Sequence, residues 1–224
     1  MFRRLKANEI ECRIQQVAKT GALSLLLYKD ARCDMTILDE TVGPLYWKRE
    51  HLRENANCIV SIWNPDLKDW ISKEDTGTES NTEKEKGLAS DSFKRACVNW
   101  GIGRELYTAP SIWIEKGNYT ENEKGSTYDK FKVTDIDYDK NGNITYLTID
   151  NLKLKRQVYS FGAKTERKTI DTVKTTALRK KCDNEGVNVD KLLRLYECYS
   201  LEDLTESQYS NICTHWEEVL KSCK

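Results

Sequence analysis

Histidine and proline are scarce: two of the former and three of the latter in 224 residues. His51 and His215 lie far apart, so a histidine-based triad or a multi-histidine metal centre is not suggested. The chain also lacks a G-x-S-x-G elbow, a glycine-rich phosphate loop and any Cys-His spacing that suggests a nucleophile with its base, which disfavours an enzyme. No apolar run approaches the roughly 20 residues that cross a bilayer; the longest, Leu25 to Tyr28, reads as a buried strand. The N-terminal MFRRLKANEIE is basic without an apolar stretch behind it, unlike a secretory signal, and a cytoplasmic protein is expected. The eight cysteines form no C-x-x-C and no disulfide-like framework, so reduced thiols are expected. Those at and beyond Cys182, with His215, fit no zinc spacing, and neither metal nor cofactor is expected. Positive and negative side chains balance at 36 each. Any nucleic-acid binding must therefore come from a local basic stripe rather than global charge.

What is present is a globular composition, 38% hydrophobic with six tryptophans and eleven tyrosines. Glu11 to Lys19 and Gly21 to Lys29 read as two strands. Met35, Leu38 and Val42, preceded by Asp30 and stopped by Gly43-Pro44, predict a helix over 31 to 42. Arg32 falls in its first turn, where the helix dipole disfavours a cation. From Leu45 to Asp75 the period becomes two, with turn signals around Asn55 and Asn64-Pro65, predicting a three-stranded meander. Trp47, Trp63 and Trp70, one per strand, read as core filling.

A long amphipathic helix follows, predicted from about Thr82 to Tyr107. Ser80 with Glu83, and Thr82 with Glu85, offer capping boxes. Ala89, Phe93, Ala96, Cys97 and Trp100 share one stripe, and Lys94 and Arg95 are expected to face away from the core. With Arg32, Lys48 and Arg49 they form the exposed cations of a helix-backed sheet, which could track a phosphate backbone. The predicted class is α+β: an antiparallel β-β-β-α core plus a small C-terminal three-helix bundle.

After Pro110, SIWIEKG reads as a strand and 115 to 129 as a polar loop. Asn141-Gly142 between alternating segments predicts a hairpin with a type I′ turn. Asp137, Asp139, Asn141 and Gly142 imitate the start of an EF-hand loop, but Thr148 stands where the bidentate carboxylate belongs. Residues 163 to 168 read as a linker between a core of 1 to 162 and a module of 169 to 224. In that module Ile170, Val173, Ala177 and Leu178 mark one helix ended at Gly186. Val189 to Tyr196 follow Asn188 in a second, and Thr205 with Gln208 caps a third. Its expected role is docking a partner.

The segment Ser90-Asp91-Ser92-Phe93-Lys94-Arg95-Ala96-Cys97-Val98-Asn99-Trp100-Gly101 resembles the T-D-x-hydrophobic-K-R-A-x-x-x-aromatic-G helix of the Rad-fifty-two-type single-strand annealing proteins, including phage members of the Sak type. Upstream, Ala31-Arg32 through Leu38-Asp39-Glu40 and Val42-Gly43 to Trp47 is similar to the same family's segment before its meander, and the similarity covers roughly residues 10 to 115. The resemblance implies a non-enzymatic, ATP-independent protein that binds single-stranded DNA, anneals complementary strands and works as a ring or helical oligomer, in the bacterial host cytoplasm if phage-encoded. It places DNA contacts on Lys94, Arg95 and Arg32. The family's next basic position is Val98 here, a loss for which Arg104 could compensate. By analogy, the C-terminal module would recruit a host single-strand binding protein or a phage exonuclease. The alternatives are a metal-dependent nucleic-acid enzyme built on Asp135, Asp137 and Asp139, and a structural adaptor that binds no DNA.

Overall fold

Strand alternation and helical periodicity sort the chain into an α+β architecture with antiparallel sheets throughout and helices clustered at the C-terminal end. The computed structural model describes residues 2–78, 84–123, 125–164, 169–196, 198 and 200–224. They divide into two units, 2–164 and 165–224. No helix among the described residues is long and apolar enough to cross a membrane.

The first unit holds β1 (Glu11–Val17), β2 (Leu23–Tyr28), α1 (Ala31–Val42), β3 (Trp47–Leu52), β4 (Asn57–Asn64), β5 (Asp69–Thr76), α2 (Lys84–Trp100), β6 (Ile112–Ile114), β7 (Phe131–Tyr138), β8 (Ile144–Asn151) and β9 (Arg156–Gly162). The predicted meander is present as β3-β4-β5, with Trp47 opposite Ile62 and Ile62 opposite Ile71. α1 has the predicted bounds, its first turn capped by Asp30, whose Oδ1 accepts from Cys33 N at 2.9 Å. A second, six-stranded sheet in the order β6-β2-β1-β7-β8-β9 joins the N-terminal hairpin to the strands after α2. Local periodicity carries no information about pairing between β1 and β7, so neither this joining nor β9 is legible in the sequence. One apolar core runs through the unit. Leu23, Leu25 and Leu27, Ile112 and Ile114, and Val133, Leu147 and Ile149 from the larger sheet share it with Cys58, Val60 and Ile62 from the meander. Ile37, Leu38, Phe93, Ala96 and Cys97 from the helices complete it.

Three local expectations change. α2 ends at Trp100 rather than Tyr107, because Gly101 and Gly103 take φ of 100° and 71° and Ile102 N returns to Cys97 O; residues 104 to 108 form a separate 3-10 turn. The two capping boxes proposed at 80 to 85 fall outside the described residues. The β7–β8 connection is a hairpin, but only Gly142 in it has positive φ, and Asp139 N bonds Asn143 O while Gly142 N bonds Asp139 O. That is a three-residue loop ending in a left-handed glycine, not a type I′ turn, and Asp139 stabilises it by accepting from Asn141 N and Asn143 N.

The second unit contains α3 (Thr172–Glu185), α4 (Val189–Leu195), α5 (Glu206–Thr214) and α6 (Trp216–Cys223). Asn188 and the reciprocal Thr205–Gln208 box cap their helices as expected, and Gly186 ends α3. The third predicted helix is broken at His215 into two. Val173 is 77% exposed and Ala177 also faces solvent. The buried face of α3 is instead Thr175, Leu178 and Cys182, since α3 starts at Thr172 and places i, i+3 and i+7 from 175 inward. Leu178 and Cys182 pack with Val187, Leu192, Ile212, Trp216 and Val219.

One turn carries strain. Between β3 and β4, Arg53, Glu54 and Asn55 all adopt positive φ, at 51°, 53° and 71°, a region that costs an L-residue roughly 1–2 kcal/mol. Glu54→Gly is expected to raise the unfolding free energy by about 1 kcal/mol in urea titration. A neutral or destabilising result contradicts this account of the turn.

Candidate nucleic-acid interface

α2 is tied down by six of the twelve residues from Ser90 to Gly101. Asp91 Oδ2 accepts from Thr78 N at 2.9 Å, and Ser92 Oγ donates to Asn55 O at 2.9 Å. Phe93 is fully buried against Trp47, ring centroids 6.1 Å apart and nearly parallel, while Trp47 Nε1 donates to Asp39 on α1 at 2.7 Å. Ala96 and Cys97 are buried, and Trp100 Nε1 donates to Val60 O at 3.0 Å. Packing and hydrogen bonds account for these six positions. Lys94 and Arg95, the two cations of the segment, are not among them.

Arg95 is exposed and its Nε lies 3.3 Å from Asp75 Oδ1 on β5. Asp75 Oδ2 also accepts from Asn99 Nδ2 at 3.3 Å. At the last turn of α2, Arg104 donates to Val98 O from Nε and Nη2 (3.3 and 3.0 Å) and to Asn99 O at 3.1 Å. Lys73 Nζ donates to Asn99 O at 2.8 Å and stands 4.6 Å from the Trp100 ring. Both cations satisfy helix-end carbonyls and complement the negative end of the helix dipole. Arg104 thus puts a guanidinium on the carbonyl of Val98. Lys73 is not among the cations predicted from sequence. Its signal was the alternation Ile71, Lys73, Asp75, which the register opposite Ile62, Val60 and Cys58 turns toward α2.

Lys94 does not face away from the core as expected. It is partly buried, because one residue step of 100° from Phe93 reaches only the border of the apolar stripe. Its neighbourhood contains a buried ion pair, Lys29 on Asp34, with Asp34 fully enclosed in the first turn of α1. Burial pushes the Asp34 carboxyl up to about 6, against the opposing pull of Lys29 and Lys94. Among the described residues Asp34 Oδ2 has no hydrogen-bond partner. Gly103 makes room for Lys29: a Cβ there would stand 2.2 Å from Lys29 Cε.

The remaining predicted cations scatter. Arg49 stays on the α2 side of the meander, its guanidinium 4.7 Å from the Phe93 ring. Lys48, one residue earlier, takes the opposite face and lies 4.4 Å from the ring of Trp70, which meets Trp63 edge to face at 5.6 Å. Trp63 and Trp70 are therefore outer-face residues, and of the three meander tryptophans Trp47 packs with the core. Arg32 projects from the start of α1 with its side chain 87% exposed and pairs with Asp30 at 3.0 Å. The structure brings Arg95 and Arg104 together with Lys73 at α2, sets Lys94 and Arg49 beside the same helix, and does not join Lys48 to them.

The aspartates of the alternative site are otherwise engaged. Asp135 pairs with Lys164 at 2.5 Å, Asp137 accepts from Tyr138 N at 2.8 Å, and Asp139 holds the hairpin. Among the described residues no three His, Cys, Asp or Glu side chains gather as a metal site. The cysteines are free thiols, and burial pushes those of Cys12 and Cys33 up to about 12, far from a reactive range. No protein-family model, curated protein or solved structure matches the chain.

The double substitution Lys94→Ala/Arg95→Ala is expected to leave the fold intact, with unfolding free energy within about 1 kcal/mol of wild type. Asp34→Ala, which strands Lys29 in the core, is expected to cost about 3–5 kcal/mol. Thermal and urea unfolding of the two variants check this; equal destabilisation contradicts it.

Proposed function

We propose that the chain is a non-enzymatic single-strand annealing protein, in which α2 presents a basic edge to the phosphates of single-stranded DNA. The observation that carries the reading is the division of labour on α2. Six positions of its motif are accounted for by packing and hydrogen bonds, while Arg95 is exposed at the helix edge, with Lys73 and Arg104 at the turn that follows, and Lys94 is partly buried one residue before it. The resemblance of residues 10 to 115 to the annealing family, on the same helix and the segment before the meander, supports the same reading. Arg49 and the exposed Arg32 extend the set.

Phosphates held along this edge leave the bases outward, free to sample a complementary strand. Five or six cations in a subunit of zero net charge bind weakly alone. Side by side in a ring or filament they become a continuous track, so oligomerisation and DNA binding reinforce each other. Annealing of this kind uses no ATP, nucleophile or metal. The C-terminal unit then serves to recruit a replication or recombination partner, such as a single-strand binding protein or an exonuclease.

Fluorescence anisotropy with a labelled oligonucleotide tests the reading. Wild type is expected to bind single strands with an affinity that falls steeply with salt, and Lys94→Ala/Arg95→Ala to bind weakly with a shallower slope, by roughly 0.7 per lost phosphate contact. Binding that is unchanged and salt-insensitive in the double variant overturns it. So does Mg²⁺-dependent cleavage of the oligonucleotide that disappears in Asp137→Ala.

A further inference from the structure

The meander has two outer strands, and the chain treats their free edges differently. Tyr46 O accepts from Trp63 N, and Trp47 stands opposite Ile62, so the even residues of β3 bond to β4. The N–H and C=O groups of Trp47, Arg49 and His51 therefore point outward. By the same alternation, the bond from Gly77 N to Ala56 O turns the backbone groups of Trp70, Ser72, Glu74 and Thr76 to the outer side of β5. Side chains cover that edge. Asp69 Oδ1 accepts from Trp70 N and Asp75 Oδ1 from Thr76 N, each at 2.7 Å, while Asn99 on α2 donates to Glu74 O at 2.9 Å. β7 carries the same device, with Asp135 and Asp137 each accepting from the N–H of the next residue. On β3, among the described residues, no hydrogen bond engages the outward groups of Trp47, Arg49 and His51. Lys48, Arg49, Glu50 and Leu52 are all exposed. One edge is closed against strand addition and the other is open to it.

We infer that β3 is the interface of a homodimer, in which the β3 strands of two copies pair antiparallel about a two-fold axis between their Arg49 residues. A second copy is the occupant because the strand, WKREHL, is complementary to itself in that register. Trp47 meets the partner's His51 and Arg49 meets the partner's Arg49, so every outward N–H and C=O of these residues finds a bond. The even residues between them fall at the close, non-hydrogen-bonded positions. There Lys48 stands opposite the partner's Glu50, and Glu50 opposite the partner's Lys48, on the exposed face turned away from α2. Sliding the strands by two residues either way sets Lys48 against Lys48 or Glu50 against Glu50. The unfavourable contact is Arg49 against Arg49 on the other face, where each guanidinium lies against its own Phe93 ring; two ion pairs offset this one repulsion. The product is one continuous sheet, β5-β4-β3 followed by the partner's three strands in reverse, with a covered β5 edge at each end. Addition therefore stops at two copies, as an isologous contact requires. The inference goes beyond the DNA-binding reading and does not depend on it.

Charge reversal tests the pairing and its register together, on the full chain without DNA. Sedimentation equilibrium of wild type at about 50 μM, well above a micromolar dissociation constant, is expected to give twice the 26.0 kDa of the chain. Lys48→Glu and Glu50→Lys, both at exposed positions, each place two like-charged pairs across the interface. Each alone is expected to weaken dimerisation by about tenfold to a hundredfold. Mixed in equal parts, the two variants face each other with opposite charges at both pairs, and the dimer mass should return. A wild type of any other mass, single variants as dimeric as wild type, or a mixture that stays dissociated overturns the inference. Each of these results leaves the DNA-binding reading standing, because no step of the test involves DNA.

Discussion

A lysine and an aspartate buried together are the constraint on which the first unit depends. Taking either ion out of water costs several kcal/mol, and only the other's charge offsets it. Lys29 directly follows β2 and Asp34 lies in the first turn of α1, so the pair constrains the angle at which the chain leaves the larger sheet. Gly103, just beyond α2, yields the space that the Lys29 stem crosses, which ties the end of α2 to the same point. The core on either side is apolar and non-directional; this pair supplies direction. Once α1 is set, Asp39 receives the Trp47 indole, Trp47 stacks on Phe93, and the meander and α2 follow in register.

α2 is where fold and proposed function meet. Its apolar stripe and its polar flanks bind it on three sides: to β3 through Phe93, to β4 through Trp100, and to the β3–β4 turn through Ser92. The solvent edge that remains carries Arg95 and, at the C-terminal turn, Arg104 and Lys73. Those two cations have a structural reason to be there, since they satisfy end carbonyls of the helix. A phosphate approaching the same turn would find them already positioned, at little cost in side-chain entropy. The Arg104 guanidinium thus lies on the carbonyl of Val98, six positions earlier in the chain.

Much of this was legible in the residues. Period two followed by period 3.6 marked the meander and α2, and the caps at Asp30, Asn188 and Thr205 marked helix starts because each cap is a local hydrogen bond between near neighbours. The six-stranded sheet was not legible, since Glu11 meeting Lys132 is a contact between distant stretches of chain. Lys94 and Arg95 could be named from sequence, but their unequal surroundings could not: Arg95 is in solvent with Asp75, whereas Lys94 stands beside a buried carboxylate visible only when α1 packs on α2. Lys48 and Arg49 looked like one basic pair and point to opposite faces, as adjacent strand residues must. Val173 and Ala177 were assigned inward on a period that fitted equally well one step out of phase.

The measurement that bears most directly on the central claim is the rate at which complementary oligonucleotides anneal, read at increasing salt beside the mass distribution of the protein on single-stranded DNA. Acceleration that appears together with assemblies of many subunits, and fades with them as salt rises, is the predicted result. A protein that stays monomeric on DNA and leaves the spontaneous annealing rate unchanged contradicts the account.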